Sequence, residues 1–384
     1  MFAPKQFMAL AAIVALVNAA CVHRSSGVQG STYPSGTTVS SSSVALPTSS
    51  SPESSPTALT SSVVVGPVSS LAQQIATSSS SSSVAVATSQ AAAASATGSA
   101  ASSSSTTSSS SGDTKYMVVF GDSYSSTGFY IEGDKPSASS PIGSPSLPGT
   151  TTTGGLNWVG MVTSEYNTST VLTYDWAYYG ADVSNTIINT GVTTDVIAQV
   201  ADFEDNLVPA PSYAPWTADN LLVAVWIGIN DIGECFWESA EYATCPIDDV
   251  MTKYFSLLQN LYDDGVRNFV LNTVPPFYKA PAFEDQTDLS TLTANLDTYN
   301  AALVSNLAEF KANNSDITLG QIFNTTSYFW EVLDNPTSYG LDSDITCANS
   351  DGTTCVWYDS YHPGQAIHKL VAQGFMEALT GSFF

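Results

Sequence analysis

Apolar and polar positions along residues 113–384 follow two rhythms. Short apolar runs occur at Tyr116–Phe120, Val171–Trp176, Leu221–Ile227, Asn268–Thr273 and Ile317–Ile322. Leu221–Ile227 is apolar throughout, as a strand covered on both faces must be. Between these runs the apolar residues recur at helical spacing, over Asn157–Tyr166, Asp195–Phe203, Val250–Tyr262, Leu289–Phe310, Thr326–Leu333 and Gln365–Leu379. Gly265 is placed to cap the third of these helices, and Pro275 and Pro276 stop the fourth strand. Strand and helix in alternation predict a five-stranded parallel sheet with helices on both faces, a three-layer α/β/α sandwich. In such folds ligands bind beyond the C-terminal ends of the strands. Those ends are where chemistry is to be sought.

Residues 1–112 follow neither rhythm. Lys5, the apolar stretch Phe7 to Val17 and the small residues of Val17-Asn18-Ala19-Ala20 read as a secretory signal over residues 1–20. The apolar run is too short to span a bilayer comfortably. Residues 21–112 are rich in Ser, Thr, Ala, Pro and Val, with Arg24 and Glu53 as their only charges and Tyr33 as their only aromatic. A segment of this kind cannot bury enough apolar surface to offset its ordering entropy. It reads as a disordered, O-glycosylated spacer. The third region, residues 113–384, is long enough for one domain with a full core.

Charge and cysteine content narrow the setting. The chain carries 9 Lys and Arg against 34 Asp and Glu, a net charge of −25. That argues against nucleic-acid binding, which needs cationic groups to neutralise phosphates, and against docking on anionic membranes. No stable membrane insertion is expected, and the domain is read as an extracellular monomer. Cys235, Cys245, Cys347 and Cys355 allow three pairings. The local pairs, Cys235–Cys245 and Cys347–Cys355, each close a short loop and are favoured. Cys21 falls at the signal cleavage site. Sequons for N-glycosylation stand at Asn167, Asn313 and Asn324.

The candidate chemistry starts at Gly121-Asp122-Ser123-Tyr124-Ser125, just past the first predicted strand. A serine there becomes a nucleophile only if a base reaches it. The chain has three histidines, and His23 lies in the low-complexity region, so His362 and His368 remain. Asp359-Ser360-Tyr361-His362-Pro363-Gly364 places an acid three residues before a histidine on a turn, close enough to meet Nδ1 and leave Nε2 for Ser123. His368 reads as a residue on a helix face. Gly180 follows the second strand, and Asn230, in Gly228-Ile229-Asn230-Asp231, follows the third. With the Ser123 N–H they offer three donors for an oxyanion hole. Asp231 is compatible with a helix cap. The histidines are too few for a histidine-rich zinc site, so no metal or other cofactor is implied.

The ordered series Gly121-Asp122-Ser123, Gly180, Gly228-x-Asn230-Asp231 and Asp359-x-x-His362 resembles the four blocks of the GDSL, or SGNH, hydrolase superfamily. The resemblance runs from Lys115 to the C-terminus. The longer stretches Phe120–Phe129, Val225–Gly233 and Asp359–Gly364, with Leu156-Asn157-Trp158 and Val274-Pro275-Pro276, look most like fungal secreted acetylesterases of carbohydrate esterase family sixteen. Tyr124 stands where the superfamily name expects leucine, and Asp175 where relatives often have asparagine. The long N-terminal spacer is a further departure, and none of the three touches a catalytic position. The resemblance implies a flavodoxin-like sandwich with strand order 2-1-3-4-5. It also implies a serine esterase that removes acetyl groups from sugars or plant-cell-wall oligosaccharides through an acyl-enzyme. Tyr124, Phe236, Trp237 and Trp357 lie near the motifs as candidates for stacking on sugar faces, or as packing residues. Two rival functions stay open: a lipase or phospholipase acting on longer acyl chains, and a stalked cell-wall protein bearing an inactive domain.

Overall fold

A computed structural model describes residues 114–384. The signal and spacer segments lie outside the described residues. Five strands, β1 (Thr114–Gly121), β2 (Thr170–Asp175), β3 (Leu221–Trp226), β4 (Asn268–Asn272) and β5 (Leu319–Phe323), form one sheet in the order β2-β1-β3-β4-β5. All four pairings are parallel. The direction is the one the apolar pattern predicts, and the order is the one the family resemblance implies. β1 and β3 occupy the interior of the sheet, and every residue of β3 is buried. β5 closes one edge and is only half-buried.

Seven helices cover the sheet: α1 (Trp158–Ser164), α2 (Val196–Leu207), α3 (Ile229–Trp237), α4 (Ile247–Asp263), α5 (Ser290–Asn313), α6 (Thr326–Asp334) and α7 (Gln365–Leu379). α7 packs with α1 and α6, while α5 packs with α4 and α3, and α2 with α4. These are the two outer layers. No helix of the described residues is long and apolar enough to cross a membrane.

Local chemistry sets the ends of the elements. Asn157 caps α1 by accepting from the Gly160 N–H at 3.1 Å, and Asp195 caps α2 by accepting from Ala198 N–H at 3.0 Å. The apolar spacing alone places both as the first residues of their helices, one position inside the cap sites they occupy. α3 is the element that the apolar pattern does not predict, because Gly228, Asn230 and Asp231 look like turn residues. Gly228 is instead the N-cap of α3, at φ +119°. A Cβ there would meet the Tyr299 ring at 2.4 Å, so only glycine lets the chain leave β3 and enter a helix at this point. Asp231 does not cap that helix through its side chain. It lies buried in the first turn and accepts from the Val183 N–H at 3.1 Å.

The core beneath the site is strongly aromatic. Phe203, fully buried, meets Phe120, Trp176 and Trp216 at ring separations of 6.3, 6.1 and 6.0 Å. We expect Phe203→Ala to lower the unfolding free energy by about 3–5 kcal/mol, read from denaturant unfolding.

Candidate active site

β1 ends in a tight turn. The N–H groups of Ser125 and Ser126 donate to the Asp122 carbonyl at 3.1 and 3.0 Å, and the Asp122 carboxylate accepts from the Tyr124 N–H at 2.9 Å. This turn lifts Ser123 out of the strand. Four neighbours hold it from outside. Thr152 donates its hydroxyl to the Ser123 carbonyl at 2.8 Å. Asn157 donates its amide to the Ser125 and Ser126 carbonyls, and the Trp158 indole donates to the Ser125 hydroxyl at 3.0 Å. Asp175 accepts from both the N–H and the hydroxyl of Thr127 at 2.7 Å.

The loop before α7 brings the other two residues. His362 Nε2 lies 2.8 Å from Ser123 Oγ, across 239 positions of sequence. On the other side of the ring, Nδ1 lies 2.9 and 2.8 Å from the two Asp359 oxygens. Asp359 Oδ1 also accepts from the N–H groups of Tyr361 and His362, both at 2.8 Å. Burial pushes this carboxyl up, but the hydrogen bonds and charge of His362 and the two amides outweigh it. Asp359 therefore ends below the ordinary aspartate value. The loop is fastened to the nucleophile turn by Tyr124, whose hydroxyl donates to the Tyr361 carbonyl at 2.7 Å.

The oxyanion candidates Gly180 and Asn230 follow β2 and β3 at the same end of the sheet as the turn after β1. Tyr178 donates its N–H to the Gly121 carbonyl at 3.0 Å, so the segment after β2 runs beside the end of β1. Two residues on, Gly180 has φ +75°, a conformation that glycine adopts without strain. Asn230, in the first turn of α3, donates one amide hydrogen to the Ala181 carbonyl at 2.8 Å. The second hydrogen of that amide leaves it a further donor.

The GDSL-like lipase/acylhydrolase family model matches residues 117–375. The chain belongs to this family. It is 49% identical over 276 residues to a protein from Thermothelomyces thermophilus called acetylesterase, covering 71% of this chain and 90% of that one. It is also 24% identical to an acetylesterase from Hypocrea jecorina, over 70% of this chain and 90% of that protein. Among solved structures, the Geobacillus stearothermophilus acetylxylan esterase Axe2 aligns over 68% of this chain and 93% of its own, at 17% identity and a TM-score of 0.41.

Around the family motifs the structure sorts the remaining candidates. His368 is fully buried on α7, where its Nδ1 accepts from the Trp158 N–H at 3.3 Å. Burial pushes it down to about 3, so it is a neutral core residue. Both expected disulfides, Cys235–Cys245 and Cys347–Cys355, are formed. Asn313 and Asn324 are exposed and Asn167 is half-buried. Tyr124 and Trp357 have no exposed surface, so neither can stack on a sugar. Tyr124 packs against Trp226 and Phe329, and Trp357 donates its indole N–H to the Ile345 carbonyl. Phe236 and Trp237 are half-exposed.

One positioning residue escaped the sequence reading. Gln199 of α2 is fully buried and grips one residue, accepting from the Gly121 N–H and donating to the Gly121 carbonyl, both at 2.8 Å. A glutamine on the inner face of an amphipathic helix was the only available sign of it. We expect Gln199→Leu to cost about 1–3 kcal/mol in stability, because it leaves the Gly121 N–H buried without an acceptor. We also expect it to depress kcat more than KM in ester hydrolysis.

Behind the site lies a group of buried carboxyls. Burial pushes Asp122, Asp175 and Asp231 up to about 7, and pushes Asp182, helped by the charge of Asp231, up to about 8. An unfolded aspartate titrates near 3.9. Each group therefore binds its proton more tightly when folded, so its contribution is greatest in acid and is lost as pH rises through about 7 to 8. Between pH 4 and pH 9 we expect the thermal midpoint to fall. In Asp231→Asn, which keeps an acceptor for Val183, the fall should be smaller. A flat profile in the wild type would contradict this reading.

Proposed function

We propose that this protein is a secreted serine esterase that removes acetyl groups from carbohydrate esters through an acyl-enzyme. The hydrogen-bonded chain Asp359–His362–Ser123 carries the proposal. Ser123 Oγ attacks the ester carbonyl carbon while its proton passes to His362 Nε2. Asp359 holds the imidazole by Nδ1 and stabilises the imidazolium. The Ser123 N–H, the Gly180 N–H and Asn230 Nδ2 receive the developing oxyanion. As the tetrahedral intermediate collapses, His362 returns the proton to the leaving alcohol oxygen. Water then gives a proton to His362 as its oxygen adds to the acyl carbon, and when this second tetrahedral intermediate collapses His362 returns the proton to Ser123 Oγ, which leaves as acetic acid is released.

Acetyl as the acyl group is supported by the 49% identity to a protein named acetylesterase, over nine-tenths of that protein. Secretion is supported by the leader-like residues 1–20 and by the two disulfides, which persist in oxidising compartments. The Ser/Thr-rich residues 21–112 are proposed to space the catalytic domain from whatever holds its N-terminal end. Occupied glycans at Asn167, Asn313 and Asn324 belong to the same picture.

Released acetate from acetylated xylo-oligosaccharides tests the function. Wild type should release it, and Ser123→Ala should fold normally and lose at least about 10⁴-fold in kcat. Asn230→Ala should lose about 10²–10³-fold. Full activity in folded Ser123→Ala would remove the nucleophile assignment. A folded wild type active only on long-chain acyl esters would favour a lipase.

A further inference from the structure

The chemistry above uses Asn230 but leaves the rest of α3 without a role. Glu234 lies four residues beyond Asn230 and Trp237 seven beyond, so the three share one stripe of the helix. At helical rise this stripe runs about 10 Å outward from Asn230. It is pressed against the catalytic loop, since a Cβ at Gly233 would stand 2.7 Å from the Tyr361 hydroxyl oxygen.

A line of rings runs from the catalytic base to the same place. The Tyr361 ring is 5.9 Å from that of His362, and Phe283 is 5.8 Å from Tyr361. Trp237 stacks on Phe283 at 4.9 Å and 25°, and Phe236 meets Trp237 edge-on at 4.8 Å. The inner members, Tyr361 and Phe283, are buried, while Phe236, Trp237 and Glu234 at the outer end are half-exposed. That end is held in place by the Cys235–Cys245 disulfide and by Tyr242, whose hydroxyl accepts from the Asn189 N–H at 3.0 Å.

His362 delivers its proton to the leaving alcohol, so the alcohol part of the ester lies on the His362 side of Ser123. We propose that Phe236, Trp237 and Glu234 form a remote subsite for a second sugar ring of the leaving group, which makes the enzyme selective for acetylated oligosaccharides over acetylated monosaccharides. The proposal rests on the carbohydrate acetylesterase reading. The apolar face of a pyranose packs on aromatic rings, and a carboxyl group fixes neighbouring hydroxyls by hydrogen bonds. Burial, with the charges of Glu238 and Glu241, pushes Glu234 up to about 7. In mild acid it is therefore neutral and both donates and accepts. Binding energy gained at this distance orients the scissile ester, so it appears in kcat/KM for long substrates only.

The full-length protein, wild type and with Phe236→Ala, Trp237→Ala or both, would be assayed on three substrates: 4-nitrophenyl acetate, an acetylated methyl xyloside and acetylated xylotriose. For wild type we expect kcat/KM to rise about tenfold or more from the xyloside to the xylotriose. The variants should lose that rise while staying within about twofold on 4-nitrophenyl acetate, which also reports that their sites are folded. The subsite is overturned if wild type shows no gain with length, if the variants keep the gain, or if they lose activity equally on all three substrates. A wild type that cleaves 4-nitrophenyl acetate and neither saccharide overturns the carbohydrate reading itself, and the subsite with it.

Discussion

Everything at the catalytic end depends on how the peptide at Gly121 is held. It is the last residue of β1, two before Ser123, and it is gripped from both sides of the strand. On one side it pairs with Trp226 of β3. On the other, Gln199 supplies an acceptor and a donor, and Tyr178 adds a second N–H to the same carbonyl. Gln199 thus does what a continuing β2 would have done, after β2 has turned away to form the Gly180 segment. Because one carbonyl receives both α2 and the Gly180 segment, the proposed nucleophile and the proposed oxyanion donor Gly180 are tied to common bonds. A displacement of either moves the other. This is how a fold supplies the geometry that acyl transfer needs before any substrate arrives.

Electrostatics follow from the same packing. The turn after β1 and the first turn of α3 bring Asp122 and Asp231 into the interior, where water cannot solvate their charge. Asp182 and Asp195 stand behind Asp231, and the phenols of Tyr254 and Tyr299 share its surroundings. The low-polarity pocket raises Asp122, Asp182 and Asp231, whereas Asp359, in contact with a histidine and two amides, is lowered. One residue type therefore serves two purposes within one site. Contact with His362 favours the charged form of Asp359, as the proposed triad requires, and burial favours the protonated form of the carboxyls that bind backbone N–H groups in the core.

How much of this was legible beforehand depended on whether the signal was local. Strands buried on both faces leave continuous apolar runs, so the parallel sheet could be read, while its strand order followed from the family resemblance alone. Asp359 and His362 are three residues apart and meet within one turn, so their pairing could also be read. Ser123 and His362 are 239 residues apart, and only the scarcity of histidines joined them. Gln199 was not legible, because its partner is a backbone group 78 residues away and a buried glutamine resembles any polar interruption of a helix. α3 was missed for a related reason. Gly228, Asn230 and Asp231 have the chemistry of a turn, and only the contact with Tyr299 shows that the glycine serves a helix start.

That missed helix changes what the aromatic residues mean. Read as a loop, residues 228–237 place Phe236 and Trp237 at no defined distance from the nucleophile. As a helix anchored at Gly228 and closed by Cys235, they stand two turns beyond Asn230, the proposed oxyanion donor, and the proposed mechanism puts the leaving alcohol on their side. Tyr124 and Trp357 were equally plausible as sugar contacts from sequence, yet both serve as packing beneath the catalytic loop. The difference is direction along the chain. Tyr124 and Trp357 enter the core directly from the motifs, while α3 carries its aromatics outward from Asn230. In the proposed subsite this helix end, about 10 Å along α3 from Asn230 and tied by the Cys235–Cys245 disulfide, is the fixed surface on which a second sugar ring would rest.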